Sequence, residues 1–189
     1  MIIYNRQFTE ENELGFKADK HVCETLIGLG KSGDRTPLKH VKTVIIDQIW
    51  TANEQINGSH NLRKSERIRS EETLEKGKEY RLDTKYYFSK VIDGKRVEKY
   101  RLELNAPITE AENEVLRALY TPFPNKYRHQ IKHRYYVKDT ATNLIYSIDF
   151  IDEDTAEFDA NTAIIEIEFN DNGTKDAWIM PAWLKKIVR

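Results

Sequence analysis

Cysteine is nearly missing from this chain of 189 residues: Cys23 is the single one. No internal disulfide can form, and no paired-cysteine metal site exists. A surplus of charge of either sign is missing too. Lys plus Arg number 30 and Asp plus Glu 31, a formal net charge of −1. That balance argues against a duplex-DNA binder working through bulk positive charge. No apolar run approaches the ~18 residues that a membrane span needs. The opening Met1-Ile2-Ile3-Tyr4-Asn5-Arg6 lacks the basic start and long apolar stretch of a secretory leader. The sequence holds no internal repeat and no low-complexity stretch. These absences lead to the expectation of a single cytoplasmic domain over 1–189 with no membrane partner.

Charge of both signs is abundant, at 32% of residues, against 39% hydrophobic. Seven Phe, ten Tyr and three Trp supply bulky core material, and a chain of this length can bury a real core. The charges either coat an ordinary solvated surface or line an internal cavity.

Period-two alternation marks the strands. Leu14, Phe16 and Ala18 alternate with Glu13, Gly15 and Lys17. Asp19 then caps a short helix with Val22, Leu26 and Leu29 on one face, closed by Gly28 or Gly30. Residues 31–42 read as an extended polar linker. Strands are expected at Val44–Trp50, around Arg67–Arg69, at Tyr80–Val91 and at Val97–Asn105, with Asp93-Gly94 as a hairpin turn and Asn57-Gly58 as another. Thr109 and Glu112 form a capping box for a helix to about Tyr120, with Ala111, Val115, Ala118 and Leu119 at helical spacing. Three more strands follow at Gln130–Lys138, Leu144–Ile151 and Ala163–Phe169. Pro181 opens a short amphipathic helix, with Trp178 and Trp183 as anchors. The sum is an α+β, β-rich chain of seven or eight mostly antiparallel strands with a few short helices.

Alternate residues of a strand share a face. Glu13 pairs with Lys17 in this way, Arg67 with Arg69, Phe88 with Lys90, Arg101 with Glu103, Lys132 with Arg134, and Glu166 with Glu168. Asp149 interrupts an apolar run. If such strands curl into a barrel, their charged faces converge inside. Guanidinium and ammonium groups there would hold phosphate oxygens, and clustered carboxylates would hold Mg²⁺ or Mn²⁺. The alternative is a set of exterior faces carrying cross-strand salt bridges. Tyr136 shares the face of Lys132 and Arg134 and is the best-placed aromatic for stacking on a base. His129 and His133 lie about 13 Å apart at the ~3.3 Å strand rise, too far to share a metal. Cys23 reads as core.

The run Lys132-His133-Arg134-Tyr135-Tyr136-Val137, then Ser147-Ile148-Asp149, Ile165-Glu166-Ile167-Glu168-Phe169 and Pro181-Ala182-Trp183-Leu184, resembles the CYTH family, the triphosphate tunnel metalloenzymes. Upstream, Gln48-Ile49-Trp50, Arg67-Ile68-Arg69, Phe88-Ser89-Lys90 and Arg101-Leu102-Glu103 fall in that family's order, so the resemblance covers about residues 13–185. It implies an eight-stranded antiparallel tunnel that binds a triphosphate or nucleotide polyphosphate. Carried over by motif, Lys17, Arg67, Arg69, Lys90, Arg101, Lys132 and Arg134 would contact phosphate. Glu13, Glu103, Asp149, Glu166 and Glu168 would bind or support divalent metal, with Glu166 and Glu168 as the catalytic pair. Two departures stand out. The opening ExExK signature reads Glu13-Leu14-Gly15-Phe16-Lys17, with Gly15 in place of a glutamate, and the sequence ends soon after Leu184.

Two functional readings follow from the resemblance. One is a metal-dependent triphosphate hydrolase using Mg²⁺ or Mn²⁺. The other is a protein, a viral one included, that sequesters or senses a nucleotide or cyclic nucleotide without turnover. Either has a small phosphorylated ligand as its partner, and either allows a homo-oligomer.

Overall fold

The computed structural model describes residues 8–10, 13–33, 36–56, 62–93, 95–152, 161–169 and 172–188, with side chains outside the description at 8–10, 89–92, 95–101 and 172–173. The expected turn at Asn57-Gly58 lies outside the described residues, as does Gly94 of the hairpin turn. In chain order the elements are β1 (Phe8–Glu10), β2 (Glu13–Asp19), α1 (Lys20–Ser32), β3 (Leu38–Gln55), β4 (Leu62–Thr73), β5 (Gly77–Ile92), β6 (Lys95–Ile108), α2 (Glu110–Tyr120), β7 (Arg128–Asp139), β8 (Ile145–Ile151), β9 (Thr162–Glu168), α3 (Asn172–Ala177) and α4 (Ala182–Lys185). The hydrogen-bonded strand order is β1-β6-β5-β4-β3-β7-β8-β9-β2. The expected α+β, β-rich antiparallel class is what the chain adopts: eight strands of at least seven residues, plus the short β1. Among the described residues no helix is long and apolar enough to cross a membrane.

The chain forms two compact units, each assembled from several stretches. One takes Asp47–Glu71 and Lys76–Gln130, and the other Asn12–Ile46 and Ile131–Arg189, with short pieces added to each.

The second unit shows why the alternation matters. Across β7, β8, β9 and β2, Val137 stands opposite Tyr146, Tyr146 opposite Ile167, and Ile167 opposite Leu14. Ile148, Ile165 and Phe16 make a parallel row. Directly paired residues point the same way, so this face is continuously apolar. It forms the core with Cys23, Ile27, Leu38, Trp183 and Leu184. The charged residues are thereby committed to the opposite face.

α1 begins as expected: the Asp19 side chain accepts a hydrogen bond from the Val22 amide. Its end and its inward face differ from the sequence reading. The helix continues to Ser32 and closes on Gly33, at φ 77° in the left-handed region that glycine enters without a Cβ clash. Gly30 has another role. A Cβ there would stand 2.9 Å from the Leu38 carbonyl oxygen, so its absence lets α1 and β3 approach closely. Cys23 and Ile27 are buried, while Val22 and Leu29 are exposed. The expected polar linker over 31–42 shrinks accordingly, because the helix reaches Ser32 and β3 starts at Leu38.

α2 carries the expected capping box: the Glu112 amide donates to Thr109 Oγ1, and the Thr109 amide donates to Glu112 Oε2. The apolar residues at helical spacing do not form its buried face. Asn113 is its one buried residue, and Val115 and Leu119 face outward. At the C-terminus, the Trp183 indole donates to Asp139 Oδ2 at 2.7 Å, which fixes α4 to the end of β7. Asp139 Oδ1 accepts from the Ala141 and Thr142 amides, closing the β7–β8 turn. The short helix α3 was not anticipated from the sequence.

Candidate functional site

Two charged clusters stand out, one in each unit. In the second unit the register builds the site row by row. Arg134 stands opposite Asp149, Asp149 opposite Ile164, and Ile164 opposite Lys17. The next row holds Tyr136, Ser147, Glu166 and Gly15. Glu13 stands opposite Glu168. Lys17, Arg134, Tyr136, Glu13, Asp149, Glu166 and Glu168 therefore occupy one face, as does Lys132, two residues before Arg134.

Asp149 is the centre of this face and is 2% exposed. Arg134 Nε donates to Asp149 Oδ1 at 2.6 Å and Arg134 Nη2 to Asp149 Oδ2 at 2.7 Å, a two-pronged pairing. Lys132 Nζ donates to the same Oδ2. Arg134 Nη2 also reaches Glu166 Oε2 at 2.6 Å, and Ser147 Oγ lies 3.4 Å from that oxygen. Burial pushes the Asp149 carboxyl up, but Lys132 and Arg134 outweigh it and hold the group below the usual carboxylate range. Burial likewise works against the Arg134 charge, and its hydrogen bonds to Asp149 win, driving its pKa up. The Tyr136 ring is engaged by cations: Lys42 Nζ lies 4.5 Å from its centroid and the Arg134 guanidinium carbon 5.9 Å. Lys42 has no place in the motif reading, because it lies within the stretch read as linker.

The first unit holds the richer cationic cluster. Asp83, on β5, is 1% exposed, and three guanidinium groups surround it. Arg67 Nε lies 2.9 Å and Arg69 Nη1 3.2 Å from Asp83 Oδ2, and Arg81 Nε lies 3.2 Å from Oδ1. Arg81 Nη2 donates to Glu71 Oε1 at 2.7 Å. Glu103, opposite Lys85 in the β5–β6 pairing, takes Lys85 at 3.5 Å and Arg67 at 3.7 Å. Burial drives the Asp83 carboxyl up, and Arg67, Arg81 and Arg69 together bring it below the ordinary carboxylate range. Burial, and then the neighbouring Arg67 charge, lowers the Arg69 guanidinium to about 10. Four cations (Arg67, Arg69, Arg81, Lys85) meet three carboxylates (Glu71, Asp83, Glu103) here. The Nε–H groups of Arg69 and Arg81 are buried and lie 3.0 Å from Glu71 Oε1 and 3.2 Å from Asp83 Oδ1, out of hydrogen-bond alignment with them. Beneath Arg67 lies Trp50, its ring centroid 5.2 Å from the guanidinium carbon. Gln48, two residues earlier on β3, donates to the Gln130 amide oxygen at 2.7 Å.

The motif residues are thus divided between the units. Arg67, Arg69 and Glu103 meet in the first. Lys132, Arg134, Asp149 and Glu166 meet in the second, with Lys17, Glu13, Glu168 and Tyr136 on the same face. Lys90 and Arg101 lie in β5 and β6, and their side chains are outside the described set. Sequence reasoning missed Arg81, Asp83 and Lys85. Their alternation along β5, matching Arg67 and Arg69 on β4, was the signal available. His129 and His133 go to separate carboxylates, Asp47 and Asp152.

Among the described residues no three His, Cys, Asp or Glu side chains gather closely enough to hold a metal. Asp149 is committed to Lys132 and Arg134, and Glu166 accepts from Arg134. Hard divalent cations want several oxygens free at once. The donor set as it stands does not fit Mg²⁺ or Mn²⁺.

No protein-family model matches the chain, and no curated protein matches it. Solved structures that the chain matches include three from Pyrococcus. The PH1819 protein of Pyrococcus horikoshii is 12% identical over 86% of this chain and 81% of its own, with a TM-score of 0.49. The PH1012 protein of the same organism is 15% identical over 88% and 83%, with a TM-score of 0.45. A conserved hypothetical protein of Pyrococcus furiosus is 12% identical over 88% and 83%, also at 0.45.

Proposed function

We propose that this protein binds a triphosphate or a nucleotide polyphosphate through its buried arginines and lysines, and holds it without hydrolysis. The observation that carries the reading is the Arg67, Arg69 and Arg81 cluster. Three guanidinium groups share one buried carboxylate, and the Nε–H groups of Arg69 and Arg81 meet their carboxylates out of hydrogen-bond alignment. A phosphate chain offers well-aligned oxygen acceptors for the two-pronged bonding that guanidinium groups favour. The resemblance to the triphosphate tunnel family points to the same ligand class. Lys132, Arg134 and Lys17, with Lys42 beside Tyr136, form a separate basic set on the charged face of the second unit.

Holding is favoured over turnover by the state of the carboxylates. Asp149 and Glu166 are tied into ion pairs, and Gly15 stands where the resemblance expects a further glutamate. The ligand pool implied is cytoplasmic, which is where this reading places the protein.

The test is a panel of tripolyphosphate, nucleoside triphosphates and cyclic nucleotides with and without Mg²⁺ and Mn²⁺, scored for thermal shift and phosphate release. A ligand that raises Tm and is recovered unchanged is expected, with the shift lost in Arg69→Ala. No binding by any of these compounds overturns the reading. Phosphate release that needs Glu166 and Glu168 overturns the holding mode and restores the hydrolase.

A further inference from the structure

Helix α2 is turned against the usual order. Its inward positions, Asn113, Leu116, Arg117 and Tyr120, follow the i, i+3, i+4, i+7 spacing, and the polar two make the anchoring hydrogen bonds. Arg117 Nη1 lies 3.0 Å from both Asp47 carboxylate oxygens, Arg117 Nη2 donates to the Asp47 carbonyl at 2.8 Å, and Arg117 Nε donates to Asn113 Oδ1 at 3.1 Å. Tyr80 adds a hydrogen bond to Glu110 at 2.5 Å. Leu116 and Tyr120 turn inward beside these polar groups, while three apolar residues are left outside: Val115 is 64% exposed, Leu119 58% and Phe123, just past the helix, 56%. Ala111 and Ala118 are exposed on the same stripe. A contiguous apolar stripe rimmed by charge marks an interaction surface.

The rim says what kind of partner fits. The N-terminal end of the stripe carries exposed Glu110 and Glu114, and the segment after its C-terminal end carries exposed Lys126. The surface is thus negative at one end and positive at the other. A copy related by a two-fold axis, with its α2 running antiparallel, sets each acidic end on the other's basic end and closes the apolar stripe on itself. A two-fold interface must be self-complementary in this way. We infer that the exposed face of α2 is the contact between two copies of this chain. This inference rests on α2 and the segment just after it and is independent of the phosphate-binding proposal.

The test is the mass of the full chain in solution by light scattering and sedimentation over a broad concentration range. A dimer is expected. Leu119→Asp is expected to make it monomeric while leaving the far-UV circular dichroism and thermal unfolding of the monomer close to the parent's, because the side chain is largely exposed. Glu114→Lys and Lys126→Glu are each expected to weaken the dimer about tenfold, and the two together to restore it, since the swapped charges again match. A chain that stays monomeric throughout, or a dimer indifferent to Leu119→Asp, overturns the inference. Single charge reversals that the double reversal does not repair overturn the antiparallel two-fold arrangement.

Discussion

Gly15 stands directly across from Glu166 in the β2–β9 pairing, with no other atom within 4 Å of where its Cβ would lie. The position is therefore open, and the strand can take a larger residue there. Gly15→Glu is expected to fold normally and to place a second carboxylate beside Glu166. Mn²⁺ binding by calorimetry is expected to rise over the parent chain. An unchanged isotherm would show that Gly15 is not what limits cation binding on this face.

Asp149 is the partner of two buried cations, so removing its charge leaves both uncompensated. Asp149→Ala is expected to cost about 3–5 kcal/mol, the usual penalty for breaking a buried pair from one side. Equilibrium urea unfolding measures it. A loss under about 1 kcal/mol would mean that Lys132 and Arg134 find water or other acceptors at little cost.

Acid should act through the same groups. Asp149 and Asp83 both have folded pKa values below their unfolded ones. Their pairing therefore stabilises the fold fully above the unfolded carboxylate value of ~3.9 and is lost as pH falls through the lower folded values. Tm is expected to be steady from about pH 7 to 5 and to drop steeply below about 4. Asp149→Asn should flatten that drop while lowering Tm at neutral pH.

Cys23 is fully buried, and burial, with Asp19 and Glu24 nearby, pushes its thiol up to about 12. The thiolate is the reactive form. A thiol reagent at pH 8 is expected to leave the native chain unlabelled and to label it fully in denaturant. Rapid labelling of the native chain would mean that α1 opens readily.

The charged face of β7, β8, β9 and β2 was legible in the sequence, because period-two alternation survives intact there and its apolar partner face is unbroken. Other features were hidden for identifiable reasons. The capping box of α2 is local and could be read, but the helix's rotation is set by Arg117 meeting Asp47, seventy positions away, and no local pattern carries that. The closing glycine of α1 was misplaced because Gly30 serves close approach to β3, whereas Gly33 serves the left-handed turn. Asp83 was missed because aromatics at Tyr86, Tyr87 and Phe88 dominate its strand and mask the polar alternation just before them.

Trp50, one of three tryptophans in the chain, lies under the Arg67 guanidinium at 5.2 Å. The other two, Trp178 and Trp183, pack with the core of the second unit. The protein therefore carries its own optical gauge. An anion that draws Arg67 off the indole should change Trp50 emission with no label attached, and a Trp50→Phe chain would supply the blank.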